Sequence, residues 1–131
     1  MIVLDTHVWV WWVHADPRFT PEFQRVLDEH EQTGLGVSAI SCWEVAKLVE
    51  YKRLVLPCPV RDWLDQALDY PGVRLLDLTP QVAVASTQLP GGFHRDPADQ
   101  IIVATALQLG CQVVTADEKI REYPHVQVLP A

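Results

Sequence analysis

Two rhythms of apolar residues alternate along this chain. Short unbroken apolar runs mark strands buried on both faces. Longer stretches with apolar positions three and four apart mark helices with one buried stripe. Met1–Leu4 predicts a first strand, with Asp5 at its carboxyl end. Residues 6–13 read as a helix that is apolar nearly all round. One of its faces can enter a core, and the rest must meet more of the chain or a partner. Thr20-Pro21 gives a cap and a proline at the first helical position, opening an amphipathic helix to about Gln32. Residues 34–38 form a second strand. Ser41 is the expected start of a helix to about Tyr51. After a break at 54–59, residues 60–68 form another helix, and Pro71-Gly72 turns the chain into a third strand at 73–78. Thr79-Pro80 repeats the cap-and-proline signal and opens a helix to about Gln88. A loop at 89–95 leads to Asp96-Pro97, which opens a helix that Gly110 is placed to end. A fourth strand follows at 112–115 and a fifth at 126–129. Short strands alternating with helices predict an α/β sandwich with a mainly parallel central sheet.

Composition narrows this picture. A chain of 131 residues fits one domain with a real core. With 49% hydrophobic and 21% charged residues, it is not a disordered composition. No apolar run is long enough to cross a membrane, and the start lacks the basic residues of a signal peptide. A cytoplasmic protein is the expectation. Cys42, Cys58 and Cys111 form no paired motif, so neither a disulfide framework nor a zinc site is indicated. The net charge of −7 argues against a duplex reader with a broad basic face. It leaves room for a nuclease, because carboxylates that hold a cation are themselves negative.

Four acids then stand out by position. Asp5 follows the first strand and Asp117 the fourth. Glu44 lies near the start of the helix after the second strand. Asp99 is in the first turn of the helix opened by Asp96, on the same stripe as Ile102, Val103 and Ala106. Each has a plain explanation: capping boxes for Ser41 with Glu44 and for Asp96 with Asp99, turn residues for Asp5 and Asp117. One shared site explains all four together, since ligands of parallel α/β sheets bind beyond the carboxyl ends of the strands. Converging carboxylates repel unless protonated or neutralised. A hard divalent cation, Mg²⁺ or Mn²⁺, is the natural neutraliser. It can activate a bound water for attack on a phosphodiester.

The segments Leu4-Asp5-Thr6-His7, Ser38-Ala39-Ile40-Ser41-Cys42-Trp43-Glu44, Arg95-Asp96-Pro97-Ala98-Asp99 and Thr115-Ala116-Asp117 carry a resemblance. In order, spacing and length, the chain resembles PIN-domain ribonucleases of the VapC toxin type, over essentially its whole length. The resemblance implies a PIN-like α/β/α sandwich and a metal-dependent endoribonuclease of a type II toxin–antitoxin pair. It implies Asp5, Glu44 and Asp99 as the main acidic site and Asp117 as a more variable fourth member. A cognate antitoxin and a homodimer are also implied. Relatives often carry arginine where this chain has Gln100, which puts a contact from that position in doubt.

Other residues keep two readings. Thr6 either orients Asp5 or caps the first helix. Ser41 and Asp96 serve as caps or support the site. Lys47, Lys52, Arg53 and Arg95 are candidates for holding an RNA backbone, or a solvated surface. The scatter of His7, His14 and His94 favours packing or surface roles. Trp9, Trp11 and Trp12 are candidate partner-interface residues, with base stacking as a second use. Two other function classes remain open. A receiver-type domain would use Asp77 as phosphoacceptor, though no acidic pair follows the first strand. A catalytically silent binding domain would leave the four acids without a task. A dehalogenase-type phosphatase would need an acid at the position of His7.

Overall fold

The computed structural model describes all residues, 1–131. Five strands form one sheet: β1 (Ile2–Leu4), β2 (Leu35–Ser38), β3 (Val73–Leu76), β4 (Gln112–Val114) and β5 (Val128–Leu129). Their order is β3-β2-β1-β4-β5. Every pairing is parallel, so the sheet is parallel throughout rather than mainly so. β1 lies in the centre, where Val3 pairs with Gly36 on one side and Val113 on the other. Its three residues are all buried, and the pleat sends them to opposite faces. Ile2 and Leu4 enter one apolar core with Leu35, Val37 and Val114. Val3 enters the other with Ile102, Val103 and Val113.

Seven helices cover the two faces: α1 (Thr6–Val13), α2 (Pro21–His30), α3 (Ala39–Glu50), α4 (Val60–Leu68), α5 (Pro80–Ser86), α6 (Pro97–Leu109) and α7 (Glu118–Arg121). Their local chemistry explains most boundaries. The Thr20 and Thr79 hydroxyls accept from the amides of Phe23 and Val82, each with proline at the first helical position. Gly110 ends α6 at φ 64°, a left-handed turn that a residue with a Cβ adopts only at a cost. The fit of Phe23, Val26 and Leu27 to one face of α2 follows the helical period.

Three departures from the sequence reading have local causes. α3 begins at Ala39, because Ser38 at the end of β2 caps it, accepting from the Ile40 amide at 3.2 Å. Ser41 is therefore no cap, and Glu44 is not in the first turn. β3 ends at Leu76 and β5 holds only two residues, so the outer strands are shorter than their apolar runs. The short helix α7 was not anticipated, since four residues carry no readable period. Its start is fixed by Asp117, whose Oδ1 accepts from the amides of Lys119 and Ile120.

The apolar helix α1 is largely wrapped by the chain itself. Trp9 is 0% exposed and meets Trp63 edge-on at 5.2 Å. It belongs to the core, which corrects its candidacy as a partner-interface residue. Trp11 and Trp12 are half-buried. Trp11 stands edge-on to Phe23 and Trp12 to Tyr70. Replacing Trp9 by Ala should cost about 3–5 kcal/mol, because a large cavity opens in a packed core. The same change at Trp12 should cost clearly less. Urea unfolding of the two variants checks this; equal losses would mean that Trp12 carries as much of the core.

Candidate active site

The carboxyl ends of β1, β2 and β4 bring the acids together. Asp5 occupies the cap position of α1, yet its side chain caps nothing. Instead it turns inward and is 3% exposed. The Thr115 hydroxyl donates to Asp5 Oδ2 at 2.7 Å and accepts from the Asp117 amide at 2.9 Å. One hydroxyl thus ties together acids that follow two neighbouring strands. Asp5 Oδ1 is buried without any hydrogen-bond partner, and so is Glu44 Oε1. Below them the Thr6 hydroxyl donates to the Ser41 hydroxyl at 2.8 Å. Both residues are buried, so this bond locks α1 to α3 beneath the acids. Neither Thr6 nor Ser41 is a helix cap.

Asp99 is presented by the start of α6. Asp96 Oδ1 accepts from the Asp99 amide at 3.0 Å, so Asp96 is a cap. The return half of a capping box is missing: the Asp96 amide faces His94 Nδ1 at 3.4 Å instead of the Asp99 carboxylate. That carboxylate is free for the site. Its Oδ2 lies 3.1 Å from His94 Nε2, without the alignment of a hydrogen bond. His94, Asp99 and Asp117 each offer an atom within 4.8 Å of the others. Gln100 donates to the His94 carbonyl at 3.0 Å, which fixes the loop carrying the imidazole. Gln100 therefore has a structural task.

The electrostatics agree with the geometry. Burial pushes the Asp99 carboxyl up to about 8, helped by the negative charges of Asp5, Asp96, Asp117 and Glu44. Burial likewise raises Asp5 to about 6, with Glu44 and Asp117 adding to the rise. The Thr115 hydrogen bond and His7 oppose it. Without a cation, then, the Asp99 carboxyl keeps its proton at neutral pH.

The basic candidates divide. Lys47 is tied to Glu50 at 2.8 Å. Lys52 and Arg95 are exposed. Arg53 is exposed and lines a cleft with His7, Trp11 and His14. Asp77 is exposed and follows the edge strand β3, two strands away from the β1 that carries Asp5, which gives a phosphoacceptor there no support. The sequence reading missed Thr115, and gave His94 no part in the site. Thr115 stood two residues before Asp117, and His94 two before Asp96; those spacings were the available signal.

A parallel sheet with carboxylates gathered at the ends of its central strands defines a small α/β protein with an acidic site at the sheet edge. The PIN domain model matches residues 2–126. The chain belongs to the PIN-domain family. It is 37% identical over 124 residues to ribonuclease VapC22 of Mycobacterium tuberculosis, an alignment covering 95% of this chain and 92% of that one. Among solved structures, FitAcB from Neisseria gonorrhoeae has a TM-score of 0.68 and 28% identity, covering 98% of this chain and 96% of that one. A toxin–antitoxin complex from Klebsiella pneumoniae shares the fold, with a TM-score of 0.66 at 17% identity and coverage of 98% and 96%.

Both shifts are upward, so the native chain keeps protons that the unfolded chain has lost. Stability of the chelator-treated protein should fall as pH rises from about 4, and the part due to Asp99 is complete only above about 8. Asp99→Asn should abolish the fall above pH 6. At pH 8.5 the variant should be the more stable, by on the order of 1–2 kcal/mol after allowance for solvent screening. Urea unfolding across pH checks this; an unchanged slope would place Asp99 outside the cluster.

Proposed function

We propose that this protein is a divalent-metal-dependent endoribonuclease, the toxin of a type II toxin–antitoxin pair, acting as one nuclease domain in the cytoplasm. The observation that carries the reading is the pair of buried carboxylate oxygens, Asp5 Oδ1 and Glu44 Oε1, left without partners inside a cluster of like charge. Buried carboxylates without donors are costly. A divalent cation removes both the orphaned lone pairs and the repulsion, and a set dominated by oxygen donors suits Mg²⁺ or Mn²⁺. Membership of the PIN family and the likeness to a ribonuclease support RNA as the substrate.

Asp5, Glu44, Asp99 and Asp117 would hold the cation. When bound, it supplies activation of a water for attack on phosphorus and stabilisation of charge on the phosphoryl oxygen. The chain supplies the rest. Thr115 fixes Asp5 and positions the amide of Asp117. Asp96 fixes the start of α6 and so places Asp99. Thr6 and Ser41 keep α1 and α3 in register below the acids. Arg53, which lines the cleft beside His7 and Trp11, and the exposed Arg95 would meet the substrate backbone, where a cation gains most from phosphate charge. By likeness to proteins solved as toxin–antitoxin complexes, the partner that silences the site would be an antitoxin; a homodimer of the toxin is the oligomer that the family resemblance implies.

Two measurements test this. Purified protein, incubated with structured and single-stranded RNAs, should cut in Mg²⁺ or Mn²⁺ and stop in chelator; end mapping locates the cut. Asp99→Asn should reduce cutting to background. In melts, a cation at roughly a hundred times its dissociation constant should stabilise wild type by about 2.7 kcal/mol, and the variant should lose most of that gain. Wild-type cutting by the variant would overturn the assignment of Asp99.

A further inference from the structure

The outward face of α1 is a stripe of rings. His7, Trp11 and His14 stand four and three residues apart, so they share one side of the helix. His7 and Trp11 line a cavity of about 210 Å³ together with Asp5 and Asp117. The same two residues line a second cleft of about 330 Å³, which runs on to His14, Arg18 and Arg53. That volume is at the small-ligand end of the usual range. The two hollows therefore share His7 and Trp11 as a wall, one holding the carboxylates and the other Arg53.

The lining separates into parts. Arg18 is neutralised by Asp16, through two contacts of 2.8 and 3.0 Å, and its guanidinium lies 5.0 Å from the Trp11 ring centre. His14 accepts from the Trp63 indole at 2.9 Å, which fixes its ring. Arg53 is exposed and makes no ion pair. The cleft thus offers one half-buried indole, with the paired Arg18 over its ring, and one unspent guanidinium, and the same indole lines the cavity of Asp5 and Asp117. An aromatic surface that accepts any base, beside a cation for its phosphate, is the chemistry of single-stranded nucleic-acid binding. A protein helix would call for an apolar groove, whereas most of the side chains that line this one are ionisable or polar.

We propose that this cleft is the subsite for the nucleotide adjoining the scissile phosphate of a single-stranded RNA, with its base stacked on Trp11 and its phosphate at Arg53. The proposal rests on the ribonuclease reading above. It gives the surplus of tryptophan on α1 a task that Trp9, inside the core, does not share.

The test uses the shortest RNA that the wild-type protein still cuts, labelled with fluorescein, and anisotropy in an Asp99→Asn background so that nothing is cleaved. Trp11→Ala should weaken binding about tenfold, within the span measured for base–aromatic stacking, and Trp11→Phe should restore most of it. Replacing nucleotides near the cut one at a time by an abasic unit should find one position costing a similar factor. That position should cost nothing further once Trp11 is Ala. Arg53→Gln should weaken binding at low salt and lose its effect at high salt. A flat abasic scan overturns the subsite, and it does so on the Trp11-containing protein, whatever the stability of Trp11→Ala. RNA binding indifferent to Trp11, with an altered mass in solution instead, also overturns it and makes this face a protein interface. If the wild type cuts no RNA, the ribonuclease reading itself fails; if it cuts while the scan is flat, only the subsite fails.

Discussion

Four carboxylates cannot occupy one small volume without a scaffold stiff enough to hold them against their own repulsion. That constraint accounts for much of how this chain is built. Burial first, and the neighbouring negative charges after it, lift the Asp99 carboxyl to about 8, so that it retains a proton that water would remove. The fold tolerates it because the acids hang from well-packed elements. Asp5 follows a strand whose three residues are all buried, and Asp99 starts the helix that delivers Ile102 and Val103 to the second core.

The polar contacts around the acids do the positioning. Thr115 links the ends of β1 and β4 through one hydroxyl. Thr6 and Ser41 link α1 to α3. Asp96 spends its side chain on the α6 amide, so the Asp99 carboxylate need not return to a cap. None of these contacts supplies a donor to Asp5 Oδ1 or Glu44 Oε1. A fully satisfied cluster would be a structural network; the two unpartnered carboxylate oxygens are what the proposed cation would satisfy. The ring stripe of α1 extends the same logic outward, from the acids to a cleft whose free cation is Arg53.

Much of this was legible in the residues. Strand positions followed from short apolar runs, and α2, α5 and α6 from caps, prolines and a terminal glycine. The meeting of the acids at one sheet edge followed from their placement after strands or at helix starts. What stayed hidden depended on tertiary choice. Ser38 and Ser41 are both good caps, and only the end of β2 decides between them. A helix apolar nearly all round cannot say which of its tryptophans the core will take; packing against Trp63 chose Trp9. The role of Thr115 needs β1 beside β4, a pairing of residues 110 apart in sequence. His94 reads as one scattered histidine until Gln100 pins its loop over Asp99.

If these carboxylates hold a divalent cation, crystals of the wild-type protein soaked in Mn²⁺ will show it in an anomalous difference map. A strong peak is expected, enclosed by Asp5, Glu44, Asp99 and Asp117 and absent from Asp99→Asn crystals treated alike. A map with no peak there, or with Mn²⁺ bound only at other surface carboxylates, would contradict it.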